Sequence, residues 1–158
     1  MITNFPKKKS YNPGGLRSFR FVPRSWILGY PPIVNNKITG EVTLLPGREW
    51  LTGYATAETL AFEENGNDSP NGVYYDQSIP GFAPGDHEDL LDLIQSMEGN
   101  EFVALVVDAR GQTRLVGGYG YPLKFISDYS SGTMRSDGKG FSYEFTSQCP
   151  FRAPVYKV

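Results

Sequence analysis

The sequence has few of the residues from which reactive sites are usually built. Its 158 residues include one cysteine, Cys149, and one histidine, His87. A lone cysteine excludes a disulfide within the chain and makes a reducing compartment the default expectation. A lone histidine cannot provide the cluster of ligands that a zinc site needs. Neither a disulfide scaffold nor a zinc centre is therefore expected.

Long apolar runs are also absent. No stretch approaches the roughly 20 residues that a helix needs to cross a bilayer. The first ten residues, MITNFPKKKS, lack the apolar core of a secretory signal peptide. We therefore expect no membrane insertion.

Aromatic residues, glycine and proline, by contrast, are abundant. Ten Tyr and ten Phe contribute to an aromatic content of 14%, and there are 18 Gly and 12 Pro. This composition favours short strands separated by many turns, and the length suits one domain with its own core. We predict a mainly β fold, a single-domain β-barrel or β-sandwich over residues 16–158, preceded by an extended basic arm at residues 1–15.

One α-helix is predicted on the flank of this domain, at about residues 86–98. Asp86 stands where an N-cap would accept hydrogen bonds from the first turn, and Gly99 stands where a left-handed residue would end the helix. Apolar and polar residues recur on opposite helical faces. The apolar face comprises Leu90, Leu91, Ile94 and Met97, and the polar face comprises Glu88, Asp89, Asp92 and Gln95. So short a helix is stable only when its apolar face packs on the domain.

The strands are predicted from apolar runs and turn residues. Residues 102–107, FVALVV, form a continuous apolar run that indicates a central strand covered on both faces, with residues 113–116 as its partner. Residues 38–45 and 49–54 flank a Pro-Gly turn and predict a hairpin. Residues 57–64 and 73–79 predict strands, residues 65–74 are rich in turn residues and predict a loop, and residues 80–85 predict a longer connection.

Charge is distributed very unevenly, although the net charge is only −2. Residues 1–50 carry eight basic and two acidic groups, a balance of +6, whereas residues 51–100 carry ten acidic groups and no basic one, a balance of −10. In a self-assembling protein the basic segment of one subunit would meet the acidic segment of the next. The alternatives are that folding interleaves the two segments, or that the basic arm binds nucleic acid. The candidate subunit-interface residues are Lys7, Lys8, Lys9, Arg17, Arg20, Glu88, Asp89 and Asp92.

Three features could suggest chemistry but do not form a reactive site. His87 is predicted in the exposed first turn of the helix, among carboxylates. Cys149 precedes a proline at a strand end and has no evident partner for catalysis. The glycine-rich residues 117–120 lack the spacing of a dinucleotide-binding loop and no helix follows them, so they predict a sharp corner.

The acidic stretch after Phe62 offers two further interpretations. Residues 63–68 carry oxygen ligands for calcium but lack the EF-hand spacing. Glu63 or Glu64 with Asp76 would be a glycosidase pair only at a suitable separation, which a sequence does not fix. We therefore expect a protein that is not an enzyme, with no catalytic, cofactor-binding or metal-binding residues and no cofactor.

The order of segments resembles that of a known group of proteins. An aromatic strand, GVYYDQSIPGFAPG, leads to the short helix, and then come FVALVVDARGQTRLVGG, YPLKF, SGTMRSDGKGFSYEF and PFRAPVY. From roughly Tyr54 to Tyr156 the chain resembles virion proteins from phages and prophages of gut Bacteroidota, including crAss-like phages. In these proteins a strand ending in Asp-x-x-Gly-x-x-Arg-Leu is followed by a glycine corner. The element order is also similar to the tail-tube fold, a β-barrel or sandwich with one helix on its flank.

The resemblance implies a non-enzymatic structural protein that forms rings or a tube in the phage tail or neck. Its partners would be further copies of itself and other tail or neck proteins, with DNA passing through the lumen without sequence-specific binding. It would be made in the cytoplasm of the host bacterium and reside in the virion. An alternative from another class is a monomeric β-sandwich carbohydrate-binding module with stacking tyrosines, and a third is a hydrolase that uses carboxylates between Glu63 and Asp76. The stacking surface would comprise Tyr74, Tyr75, Tyr119 and Tyr121.

Overall fold

The computed structural model describes residues 3–4, 14–56, 58–135 and 138–157, and this part of the chain is mainly β with one α-helix. The strands are β1 Leu16–Pro23, β2 Ile27–Gly29, β3 Lys37–Ile38, β4 Thr43–Leu44, β5 Leu51–Thr52, β6 Glu63–Ser69, β7 Gly72–Pro84, β8 Glu101–Asp108, β9 Thr113–Val116, β10 Leu123–Ser130, β11 Gly140–Cys149 and β12 Val155–Tyr156, and the helix α1 is Glu88–Met97. In this described part of the chain, no helix is long and apolar enough to span a membrane. Most of the predicted basic arm, with Lys7, Lys8 and Lys9, lies outside the described residues.

Ten of the strands form one mixed sheet around β8. Its path is β3-β12-β9-β8-β10-β11-β7-β6, with β1 along the other edge of β8 and β5 beside β1. One edge of β8 is divided, because Phe102 pairs with β10 whereas residues 104–107 pair with β9. All pairs in this sheet are antiparallel except β12 with β3, and β2 and β4 form a separate pair. The predicted central strand and its partner are confirmed.

Two apolar clusters cover the two faces of β8, which explains why its sequence does not alternate. Phe102 and Val106 belong to the first cluster, together with side chains from β1, β7, β10, β11 and α1. Val103 and Leu105 belong to the second cluster, which the segment 26–50 covers with tryptophan, tyrosine and isoleucine side chains. The first cluster is rich in aromatic rings that meet edge to face or tilted, an arrangement that their quadrupoles favour.

Helix α1 lies within the predicted range but begins differently. Its N-cap residue is His87, and no side chain caps the first turn. The prediction of Asp86 as the N-cap is therefore wrong. The Asp86 carboxylate pairs instead with the Lys139 ammonium at 3.0 Å and accepts a hydrogen bond from the Tyr129 hydroxyl at 3.0 Å. Both contacts lower the pKa of this exposed carboxyl below its ordinary value, and the contact with Lys139 has the larger effect.

Several loop and hairpin predictions are wrong. Residues 38–45 and 49–54 do not form a hairpin, because β4 pairs with β2 and β5 pairs with β1. The predicted strand at 73–79 is confirmed within β7, but among residues 58–64 only Glu63 and Glu64 belong to a strand. Most of residues 65–74 belong to the β6–β7 hairpin, and β7 continues through the predicted connection to Pro84. Weak strand formers such as Asn, Gly and Pro are held in these strands because neighbouring strands satisfy their backbone groups.

The sheet of the described residues does not close into a barrel. Its path ends on β6, and the gap between β5 and the second half of β7 is bridged by single backbone contacts. The Thr56 N–H donates to the Phe82 carbonyl at 2.9 Å, and the Ala61 N–H donates to the Pro80 carbonyl at 3.4 Å. Of the two predicted forms, a barrel or a sandwich, the barrel is therefore not confirmed, whereas the mainly β class with one helix is.

Candidate functional site

The exposed face of α1 is strongly acidic. Glu88, Asp89 and Asp92 are all exposed, while Ile94 and Met97 on the opposite face are buried in the first apolar cluster. Among the described residues, the hydrogen bonds and ion pairs of the structure leave these three carboxylates without a partner. The helix therefore presents a fixed acidic surface to solvent.

The two predicted basic interface residues that the structure describes, Arg17 and Arg20, do not pair with the carboxylates of this face. Arg20 is exposed on β1, next to Phe19 and Phe21, whose rings lie in the first cluster together with α1. Because side chains alternate along a strand, Arg20 points away from the helix side. Arg17 donates to the carbonyl of Ala109 at 3.1 Å. For these arginines, folding separates opposite charges within the subunit instead of interleaving them.

An open polar groove of about 730 Å³ lies on the outer face of β6, β7, β10 and β11. It forms because alternate residues of β11 enter the core, which leaves Glu144, Thr146 and Gln148 on the outer side. Three carboxylates, of Glu63, Asp76 and Glu144, share the groove with one lysine, Lys124. This face of the sheet therefore carries an excess of negative charge.

The four tyrosines considered as a stacking surface do not share one face. Tyr121 borders the groove. Tyr119 is stacked against another tyrosine ring, 4.6 Å between centroids, and burial raises its pKa to about 12. The ring of Tyr75 is covered by the Arg152 guanidinium at 4.5 Å from the centroid. Only one of these three rings is therefore available to the groove.

Glu64 is a buried carboxylate whose role the sequence did not reveal. Its side chain is 9% exposed. The amide of Gln77 and the backbone N–H of Ala153 each donate to its Oε2 at 2.9 Å. Asp76, the partner considered for it in a glycosidase pair, lines the groove instead. Its carboxylate accepts a hydrogen bond from the Asn67 amide at 2.8 Å. Glu64 therefore fastens the C-terminal segment to the β6–β7 hairpin.

No family model, curated protein or solved structure matches this chain. The resemblance to phage virion proteins therefore depends on the order of segments alone. The role of each surface must follow from its own geometry and charge.

The remaining residues considered for a reactive or metal site do not lie together. His87 lies at the exposed start of α1. Cys149 is 4% exposed in the core, and burial is the main cause that raises the pKa of its thiol. The oxygen ligands of residues 63–68 alternate between the two faces of β6, and no group of three metal-ligating side chains is found among the described residues. Gly117 has a φ of +83° in the predicted glycine corner.

Proposed function

We propose that this protein is a non-enzymatic structural subunit of a phage tail or neck that assembles head to tail into rings or a tube around the DNA channel. The observation that carries the proposal is the separation of charge within the subunit. The carboxylates of α1 and the exposed Arg20 of β1 lie on opposite sides of the β1–β8 layer. Two different, complementary surfaces are what a heterologous ring contact requires.

The architecture supports the same proposal. A mixed sheet that packs on an aromatic cluster, with one helix among the described residues, is similar in element order to the tail-tube fold. We assign the fold accordingly to a sandwich-like, tail-tube-like class.

The polar groove suggests which face would line the channel. Its three carboxylates outnumber its one lysine. Protein affinity for DNA comes mainly from basic contacts to phosphate, so an acidic face lets DNA pass without being held. We assign the outer face of β6, β7, β10 and β11 to the lumen side of the ring.

The proposal is tested by light scattering after size-exclusion chromatography, together with negative-stain images. Reversing the charge of the helix face in a Glu88→Lys, Asp89→Lys, Asp92→Lys variant should abolish rings or tubes, because each subunit would then repel the basic surface of its neighbour. The matched control reverses three other exposed carboxylates by the changes Glu41→Lys, Glu49→Lys and Glu58→Lys. A strict monomer at the highest soluble concentration, also when co-expressed with tail and neck proteins, would overturn the proposal.

A carbohydrate-binding module is the second candidate, and one observation favours it. The groove combines many hydrogen-bonding side chains with the ring of Tyr121, which is 38% exposed. Polar side chains beside an aromatic face are suited to a sugar ring. Glycan binding by a monomer, lost in a Tyr121→Ala variant, would favour this candidate over the ring.

A further inference from the structure

An apolar pocket opens between α1 and the sheet. It has a volume of about 330 Å³ and is lined mainly by apolar side chains, among them Phe19, Leu90 and Phe145. This volume is near the lower end of the roughly 300–1,000 Å³ found for ligand pockets. The pocket therefore has room for one large apolar side chain.

Exposed apolar residues stand at the mouth of this pocket. Leu93 of α1 is 50% exposed and Tyr54 on the opposite side is 67% exposed, and both contribute to the lining. Asp89 lies one helical turn before Leu93, on the same side of the helix. An apolar opening is thus placed beside the carboxylates of the helix face.

We propose that the N-terminal segment of a neighbouring copy, residues 1–13, docks at this pocket, with Phe5 in the opening and Lys7, Lys8 and Lys9 over the helix carboxylates. The inference rests on the proposed function, since it specifies the contact that joins one subunit of the ring to the next. The sequence of the segment, MITNFPKKKSYNP, carries three lysines and no acidic residue. The segment therefore combines an aromatic side chain that fits the pocket with positive charge that complements the negative helix face.

The spacing along the two chains is compatible. From Phe5 to the lysine triplet an extended segment covers about 7–13 Å. From Leu93 to Asp89 the helix rises about 6 Å. A lysine that follows Phe5 can therefore reach the carboxylates while the ring occupies the pocket.

The arrangement of β1 favours a neighbouring copy over the subunit's own segment. Beside the pocket, β1 is paired with β8 on one edge and with β5 on the other, at Arg20 and Phe21. A segment that turned back along its own strand would find no free edge there. A segment from the next subunit needs no such reversal, and a head-to-tail ring requires that the contact be made by a neighbour.

Disulfide trapping between full-length chains tests this contact. In a Cys149→Ala background, one chain carries Asn4→Cys and the other carries Tyr54→Cys at the mouth of the pocket. We expect the disulfide-linked dimer to form about ten-fold faster than with Ile126→Cys as the second chain, a factor that corresponds to about 1.4 kcal/mol of binding. Ile126 is a suitable control because it is 59% exposed but lies on the outer face of the sheet.

Two further changes test the assigned roles of the segment. A Phe5→Asp change in the first chain should reduce the trapping rate to that of the control, and so should the change of all three lysines to glutamate. Neither change touches the described core, so loss of folding does not complicate the result.

Each outcome decides the inference. Equal rates at Tyr54→Cys and Ile126→Cys, or no effect of Phe5→Asp, would overturn it. A bridge that forms only within one chain carrying both cysteines would show that the pocket takes its own segment, which also overturns it. If negative-stain images show rings while trapping fails, the inference is wrong and the proposed function stands. If no assembly forms under any condition, the proposed function itself fails.

Discussion

Replacing Glu64 by alanine should destabilise the protein far more than replacing its neighbour in the same strand. The Glu64 carboxylate is 9% exposed and accepts hydrogen bonds from Gln77 and Ala153, both of which are themselves buried. Alanine would leave the two N–H donors without an acceptor and away from water. It would also remove the contact that joins the segment before β12 to the β6–β7 hairpin, although this segment keeps its hydrogen bonds to Arg114 and Leu115.

The expected loss follows from those contacts. A hydrogen bond to a charged group contributes about 1.5–3 kcal/mol, and a buried donor left unpaired costs about 1–3 kcal/mol. Because the two contacts share one acceptor, their contributions do not simply add. We expect Glu64→Ala to lower the free energy of unfolding by about 2–4 kcal/mol. The Arg152 guanidinium, at 3.9 Å and half-exposed, adds little.

Urea unfolding followed by tryptophan fluorescence measures this change. Glu63→Ala is the matched control, because Glu63 is exposed on the other face of the same strand, and it should shift stability by less than about 0.5 kcal/mol. Glu64→Gln keeps one acceptor oxygen and should fall between the two. In a chain of this length each kcal/mol lowers the melting temperature by about 2–4 °C. Equal losses for Glu64→Ala and Glu63→Ala would refute the reasoning.

Three other outcomes are expected. Gly53→Ala should destabilise the domain by more than about 2 kcal/mol, because its methyl group would overlap the Phe19 ring, whereas Gly29→Ala, with open space around it, should be nearly neutral in the same urea titration. Burial raises the pKa of Tyr119 to about 12, so the stability it contributes is fully present below about pH 10 and is lost as the pH rises from there to about 12. The destabilisation caused by Tyr119→Phe should therefore shrink in alkaline urea titrations, and a constant difference would contradict this. The buried thiol of Cys149 should react with a thiol reagent much more slowly in the native protein than in urea, and equal rates would show that it is accessible.

The central part of the fold could be predicted because its signals are local. The run FVALVV marks a strand covered on both faces, and the helical spacing of Leu90, Ile94 and Met97 marks the covered face of a short helix. The prediction that Leu91 belongs to the same face is wrong, because Leu91 is 46% exposed. Both patterns reflect a periodicity that burial imposes on neighbouring residues. For the same reason the mainly β character followed from composition and turn residues alone.

The strands built from Asn, Gly and Pro could not be predicted in the same way. Residues 63–69 have the composition of a loop, yet they pair with β7 along their whole length. Strand β7 likewise includes Pro80, Gly81 and Pro84, which are typical of turns. These residues stay in the strand because β11 pairs with β7 as far as Pro84. Here the partner strand outweighs local propensity.

For the candidate surfaces, too, some features follow from the sequence and others only from the tertiary structure. The sequence alone determined that basic and acidic residues are segregated along the chain and that the carboxylates of the helix share one face. Only the tertiary structure decided that Arg20 lies opposite that face, that a pocket opens beside Leu93, and that Glu64 turns inward to meet Ala153, 89 residues away. The physical reason is that a helix or strand fixes the direction of side chains from nearby residues, whereas a pocket or a buried carboxylate exists only through groups that folding brings from distant parts of the chain.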